Sequence, residues 1–548
     1  MKMLILCRNS SSQIIFIPEI KLYCEVTRYP KESDSGPVEY KLKITQENEE
    51  KVWKLATQMN FRVEEGGGEA IYIIGVQDDG KTIGIDKRDM DYSLELIRKV
   101  AELINCIAIP IRIREINGKY VSEVLIRRTK LQLPLKLTIA VMGHVNAGKS
   151  TLTGVLIYGR LDDGKSYARN LVAQYLHEII SGRTSSITLR LIGFNNKGDI
   201  VNHSLRDPLD EQEVLLNSDK VAYLIDLGGH EKYLRTTLKG LVGYSVDYVM
   251  LVVGSDDGLG VMGKEHLALS SILRIPTFIV VTKIDRFSKE RVNEVIEDIK
   301  KIIKMPGINK VPVIIEDYDD CVNASLLLKS GRIVPIFKVS NVTGEGLDLL
   351  KKFIYMLPPP NKRSGKELLA YIDDIYSVPG VGTVALVTIS RGIIKEGDSI
   401  KVGPDLNGNF LETRVKSIQI SRTFVKEAKE GLIATISVPD LKREKLRKGM
   451  AVVNSGKQVF GVKSFLGKVL VLHHPTMIKV GYVAVLHAYT IRQAARFDYI
   501  EKEFLKSGES SNVKLSFLFK PEYIEPGTTF VFREGRTRGI GIVTKVLM

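Results

Sequence analysis

Short apolar runs recur along the chain, separated by stretches where polar residues dominate. Between residues 131 and 357 these runs are Leu137–Met142, Val221–Ile225, Tyr248–Val253, Thr277–Val281 and Val334–Val339, with helical patterns such as Glu290–Ile303 between them. Wholly apolar strands separated by helices predict a parallel sheet covered by helices on both faces. Residues 1–130 read differently, as an α+β segment. It has a strand at Ala70–Val76, a helix from Tyr92 to Cys106, and a hairpin of Ile111–Ile116 and Tyr120–Ile126 turned by Asn117-Gly118. Gly66-Gly67-Gly68 lacks a strand–helix setting and reads as a flexible turn. Pro358-Pro359-Pro360 cannot continue a helix, so residues 358–366 read as a linker. Beyond it come short β-branched runs with glycine turns: Gly382–Ser390, Ser399–Val402, Leu432–Val438, Lys468–Leu472 and Val483–Ala488. That texture predicts two β-barrels, at residues 367–456 and 457–548.

The 548 residues are too many for one domain, and 44% hydrophobic with 26% charged residues is a globular balance. No apolar run approaches the ~18 residues of a spanning helix, and Arg8 ends the apolar start, so a cytoplasmic protein is expected with no membrane partner. The net charge of +15 favours a polyanionic partner such as nucleic acid, the alternative being a generally basic surface. Four scattered cysteines without a C-x-x-C exclude a disulfide framework and a cysteine zinc site.

The strongest chemical signal is Gly143-His144-Val145-Asn146-Ala147-Gly148-Lys149-Ser150, between a strand and a helix opening at Thr151. Glycines let consecutive amides face a phosphate, and the helix N-terminus adds positive potential. Lys149 can reach the outer phosphates and the Ser150 hydroxyl can hold magnesium. Asp226-Leu227-Gly228-Gly229-His230 ends another apolar strand. Asp226 is placed to hold magnesium through water, the Gly229 amide to approach a γ-phosphate, and His230 to orient water; in isolation His230 would be a turn residue. Thr282-Lys283-Ile284-Asp285 closes a further strand. Its carboxylate can accept from guanine N1 and the exocyclic amine, and the Lys283 stem can cover the base. Ser340-Asn341-Val342 is placed to complete that base pocket. In the intervening loop Ser181–Ser186, Thr184 can ligate magnesium and sense the γ-phosphate, or Gly182 can simply end a helix.

These segments in this order resemble the GTPase domain of translation factors, with its G-H-V-D-x-G-K-[ST], D-x-P-G-H and N-K-x-D motifs. Asp373–Thr383 and Ser390–Asp398 resemble the second domain of elongation factor Tu. Val471–Pro475 and Gly481–His487 resemble the third domain of elongation factor 1-alpha. The chain from about Tyr40 onward resembles the GTP-binding protein 1 family, through Asp226–His230, Ile336–Glu345 and Phe532–Thr537, and through Glu65–Ala70 and Tyr72–Val76 in that family's extra domain. The resemblance implies a GTPase using GTP/GDP and magnesium, with His230 catalytic and slow turnover without an activator. It implies ribosome and aminoacyl-tRNA or other RNA as partners, a further protein partner through the N-terminal domain, and a monomer. A protein-delivering adaptor and an RNA-turnover regulator are the competing expectations. Departures carry their own expectations. Asn146 stands for the usual Asp, removing a carboxylate that could help hold a monovalent cation. Leu227-Gly228 stands for Thr-Pro, giving the segment freedom. Thr282 stands for Asn, weakening a brace to the phosphate loop. Arg183 stands for an apolar residue, freeing His230 or contacting phosphate, against the alternative of a solvated charge. The basic stretch Lys442–Lys448 could contact RNA phosphates or be a charged turn.

Overall fold

A computed structural model describes residues 29–33, 36–44, 49–129, 134–173, 178, 188–227, 246–305, 308–359, 367–535 and 537–547. It divides into two compact units, one from residues up to 63 with 70–127, the other from 64–69 with residues 128 onward. In the first unit β1 (Val38–Lys41), α1 (Glu49–Glu65), β2 (Glu69–Ile74), α2 (Lys87–Leu103), β3 (Cys106–Ile116) and β4 (Lys119–Arg128) form a sheet ordered β1-β2-β4-β3 with two helices. Met59, Val63, Tyr72, Ile97, Val100 and Val124 share its core. The Asn-Gly turn has both residues in the left-handed region, φ 52° and 76°, as a two-residue hairpin requires. Helix α2 begins five residues before the expected start, after Asp86 in extended conformation, and stops where Asn105 turns left-handed at φ 54°. Cys106 thereby opens β3 instead of closing the helix.

The second unit begins with β5 (Leu135–Gly143), α3 (Lys149–Tyr158), α4 (Tyr167–Val172), β6 (Thr188–Phe194), α5 (Glu211–Leu216), β7 (Lys220–Asp226), β8 (Tyr248–Gly254), α6 (Gly260–Ile272), β9 (Thr277–Thr282), α7 (Lys289–Ile303), β10 (Val311–Ile314), α8 (Tyr318–Leu327), β11 (Ile333–Lys338) and α9 (Leu347–Met356). The sheet runs β10-β11-β9-β8-β5-β7-β6. Every residue of β5, β7, β8 and β9 is buried. One face packs Leu251, Val253 and Ile279 against Val292, Val295, Ile296 and Ile299 of α7. On the other, Phe278 and Phe337 meet Phe353 of α9 at 5.1 and 4.9 Å between centroids. The sheet is not wholly parallel: β6 pairs antiparallel with β7 at the edge. Strand β5 sits between β7 and β8, so the chain order reverses at its carboxyl end, the place where open α/β sheets receive ligands.

The linker leaves this sheet under restraint. Tyr248 donates to Pro358 O at 2.6 Å and Lys329 to Pro359 O at 2.5 Å. Past it, eight strands including Leu369–Val378 and Gly382–Arg391 form an antiparallel sheet around one core, its long strand offset by two register shifts that curve it. Ser464–His473, Ser510–Phe517, Ile491–Ile500, Val483–Ala488, Thr529–Glu534 and Thr537–Leu547 then close a six-stranded barrel. The first barrel's core takes in Leu191, Val221 and Tyr223 from β6 and β7. The second meets α6 through Met262 and Leu269 against Val531 and Ile540, and through an Arg538–Glu265 ion pair. Arg447 joins the barrels, donating to Glu522 at 2.8 Å, Pro521 O at 2.9 Å and Pro404 O at 3.1 Å. With Lys448 paired to Asp374 at 2.9 Å, two cations of the basic stretch are engaged structurally. Lys442, Arg443 and Lys445 remain solvent-exposed.

Candidate functional site

The loop from β5 to α3 can be built only with glycine where the sequence has it. A Cβ on Gly143 (φ 145°) would lie 2.1 Å from Val252 O. Asn146 is left-handed at φ 62°, a conformation that Asn and Asp tolerate, and Gly148 follows at φ 85°. Helix α3 then starts at Lys149 without a side-chain cap, so its first amides are free to face an anion. Lys149 donates to His144 O at 2.8 Å, folding back over the loop. Burial pushes its ammonium down to about 8, against the pull of Asp226. A phosphate chain beside it would favour the charged ammonium and raise that value again.

Ser150 donates to Asp226 Oδ2 at 2.5 Å. Burial pushes the Asp226 carboxyl up, opposed by Lys149 and the Ser150 hydroxyl. Asp226 Oδ1 is buried with no hydrogen-bond partner among the described residues. A hydroxyl, a carboxylate and an unsatisfied oxygen at the mouth of a phosphate loop are a donor set suited to magnesium, a hard cation that keeps several waters. The residues therefore fit that ion.

The segments expected to hold the base come from the ends of β9 and β11. Thr282 is fully buried, and its hydroxyl donates to Ala147 O at 2.7 Å. The brace to the phosphate loop is thus present with Thr in place of Asn. Lys283, at φ 62°, reaches Asp256 Oδ2 at 2.5 Å, and that pair holds the Asp256 carboxyl below its usual range despite burial. Asp285 Oδ1 accepts from Ser340 Oγ at 2.6 Å, while Ser340 Oγ also accepts from Val342 N at 3.2 Å and Thr343 N at 3.0 Å. Asn341 Oδ1 is buried without a hydrogen-bond partner among the described residues.

One cleft of about 360 Å³ joins the two ends. Val145, Asn146, Gly148, Lys149, Ser150 and Thr151 line its phosphate end, and Lys283, Asp285, Asn341 and Val342 its base end. His144, Ala147, Thr282, Ser340 and Asp226 do not line it: His144 O, Ser340 and Asp226 are bonded to the lining residues Lys149, Asp285 and Ser150, and Thr282 to Ala147 O. Sequence reasoning missed Asp162, Gly164, Ser166, Arg169, Asp256 and Arg286, which also line the cleft. The Asp-Asp-Gly-Lys-Ser turn after α3 was the available signal for the first three. Arg183, Thr184, Gly229 and His230 lie outside the described residues, as does Gly228; Leu227 is buried in the core.

A model of the elongation factor Tu GTP-binding domain matches residues 136–376, and one of elongation factor Tu domain 2 matches residues 382–453. Human GTP-binding protein 2 is 40% identical over 531 residues, covering 94% of this chain and 88% of its own length. GTP-binding protein 1 of Xenopus laevis is 41% identical over 497 residues, covering 90% and 76%. The chain belongs to the elongation factor Tu/elongation factor 1-alpha superfamily, alongside GTP-binding proteins 1 and 2. It is therefore a GTPase of the translation-factor type. Its fold is shared by translation elongation factor SelB from Methanococcus maripaludis, solved with the GTP analogue GppNHp. That structure has a TM-score of 0.53 at 18% identity and covers 76% of this chain and 80% of SelB. No described helix is long and apolar enough to cross a membrane.

Proposed function

We propose that this GTPase binds GTP with magnesium, hydrolyses it to GDP on engaging the ribosome, and delivers an aminoacyl-tRNA or a similar RNA ligand. The observation that carries this reading is a single cleft, at the switch point of the sheet, with phosphate-binding chemistry at one end and guanine-binding chemistry at the other. The same compact unit carries the two barrels. Lys149 and the first amides of α3 neutralise the phosphates, and Asp285 with Lys283 selects guanine. Ser150 and Asp226, the latter through water, would hold magnesium together with Thr184. Magnesium, when bound, offsets charge on the outer phosphates. His230 is assigned the orientation of water, which makes turnover slow until a partner sets it in place.

Selectivity over adenine follows from the base end. Adenine lacks the donors that Asp285 is placed to accept, so covering this exposed carboxylate with adenine strips its water and returns no donor, at a cost of several kcal/mol, or roughly hundreds- to thousands-fold in affinity. The test is GTP turnover alone, with ribosomes, with aminoacyl-tRNA, and with both. Ribosome stimulation, with tRNA protected from deacylation only in the GTP state, supports the carrier reading. No stimulation refutes it and favours a regulator of RNA turnover.

One feature favours a second reading, delivery of a protein. The first unit lies outside both elongation factor Tu matches, and it exposes Trp53 and Phe61 on α1 at 60% and 50%. Ribosome stimulation without tRNA protection would select that adaptor reading.

A further inference from the structure

We infer that Arg169, on α4, is a second cationic ligand of the nucleotide's phosphate chain, supplied in cis from the loop after α3. This rests on the GTP-binding reading of the cleft. The loop is stitched so that α4 begins at a fixed place. Asp162 Oδ2 accepts from Gly164 N at 3.0 Å and Oδ1 from Ala168 N at 2.9 Å. Asp163 Oδ1 accepts from Lys165 N at 2.7 Å and Tyr167 N at 3.1 Å. Asp162 N in turn donates to Asn341 O at 2.8 Å, tying this loop to the one that completes the base end. Gly164 and Ser166, both left-handed at φ 76°, make the turn that brings α4 back over the cleft.

Arg169 is the third residue of that helix and lines the cleft with Lys149, Ser150 and Thr151. Its guanidinium donates to a main-chain oxygen, Glu178 O, at 3.2 Å, which fixes the fork without neutralising it. The electrostatics agree with this placement. Arg169 lowers the pKa of Lys149 as a neighbouring like charge and lowers that of Asp226 as an opposite one. It thus stands within range of both groups that bracket the outer phosphates. A planar guanidinium presents several donors in a fork that matches phosphate oxygens, where an ammonium offers a point charge. The Glu178 carboxylate is also within electrostatic range of Arg169, so a purely structural pairing is the alternative to exclude.

The experiment is titration of fluorescent GDP and non-hydrolysable GTP analogues into the full chain and three variants: Arg169→Lys, Arg169→Gln, and Arg169→Gln with Glu178→Gln. Thermal melting of each accompanies the titrations. Glutamine keeps a donor for Glu178 O and removes the charge; lysine keeps the charge. A phosphate ligand predicts that Arg169→Gln weakens both nucleotides on the order of 10- to 100-fold at unchanged melting temperature. Lysine, which keeps the charge but not the fork, should recover only part of that loss, and the double variant should stay weak. Wild-type affinity in Arg169→Gln would overturn the inference. So would recovery in the double variant. A wild-type chain that binds neither nucleotide would overturn the cleft reading itself, a distinguishable result.

Discussion

Asp285→Asn tests the base end most directly. Asp285 Oδ1 accepts the Ser340 hydroxyl at 2.6 Å, and Ser340 is itself fixed by two loop amides. An asparagine that preserves the Ser340 bond must put its oxygen where Oδ1 now sits. Its NH2 then faces the base, where guanine also presents donors at N1 and the exocyclic amine. Two charge-assisted bonds are lost, each worth about 1.5–3 kcal/mol, so GDP should weaken by about 3–6 kcal/mol, or roughly 10²- to 10⁴-fold. Xanthine carries a carbonyl in place of the amine and can accept from the new NH2, so xanthosine diphosphate should overtake GDP. Competition of both nucleotides against a fluorescent guanine nucleotide reads the ratio directly. GDP affinity within about three-fold of wild type, in a variant with an unchanged melting curve, would mean that Asp285 does not face the base.

Thr282→Val, nearly equal in volume, leaves Ala147 O without its buried donor and should lower unfolding stability by about 1–3 kcal/mol in a denaturant titration. His266 is fully buried, its Nδ1 accepting from Gly143 N at 3.2 Å, and burial pushes it from 6.5 down to about 3. A depressed value in the folded state means its contribution is complete above pH 6.5 and is lost as pH falls toward 3, about 2 kcal/mol by pH 5. His266→Gln should flatten that acid limb in chemical denaturation. His230→Ala should bind GTP nearly normally and lose partner-stimulated hydrolysis; lost binding in a nucleotide titration would make the residue structural. Arg538→Glu should lower stability by about 1–3 kcal/mol by opposing Glu265, and the swap with Glu265→Arg should restore it, as a double-mutant cycle in melting experiments would record.

The parts of the site that sequence reasoning reached share one property: each chemistry-bearing residue stands at the end of an apolar run. Asp226, Thr282 and Ser340 are of this kind, Gly143 opens the loop to Lys149 in the same way, and a parallel sheet puts all such ends on one edge without further information. What it missed depends on approaches between distant segments. Strand β6 was overlooked because its apolar run is broken by Arg190 and Gly193, and part of its burial comes from the barrel beyond the linker. Arg169 reaches the cleft only because Asp162 is fastened to Asn341, a contact that no local pattern encodes. Arg447 sits in a run of charges that looks like a solvated face, yet it is committed to Glu522 and two main-chain oxygens. Thr282, standing for Asn, was expected to weaken the brace to the phosphate loop. The structure keeps the brace all the same: the two loops lie close enough for the Thr282 hydroxyl to reach Ala147 O at 2.7 Å.

The elements that hold the nucleotide end of the sheet also hold the barrels. Strand β7 ends in Asp226 and, three residues earlier, buries Tyr223 in the core of the first barrel. Helix α6 places Glu265 on Arg538 of the second barrel and the next residue, His266, on the amide of Gly143. Close-packed cores transmit displacement because they cannot absorb it by loosening. A change in charge at Asp226, or in the position of the loop that starts at Gly143, is therefore felt at a barrel contact within one rigid element in each case. Two separate rigid connections mean that the barrels cannot shift against the sheet without disturbing either the Asp226 carboxylate or the first turn of the phosphate loop. That is the mechanical requirement for a protein whose bound nucleotide is to set the arrangement of its barrels.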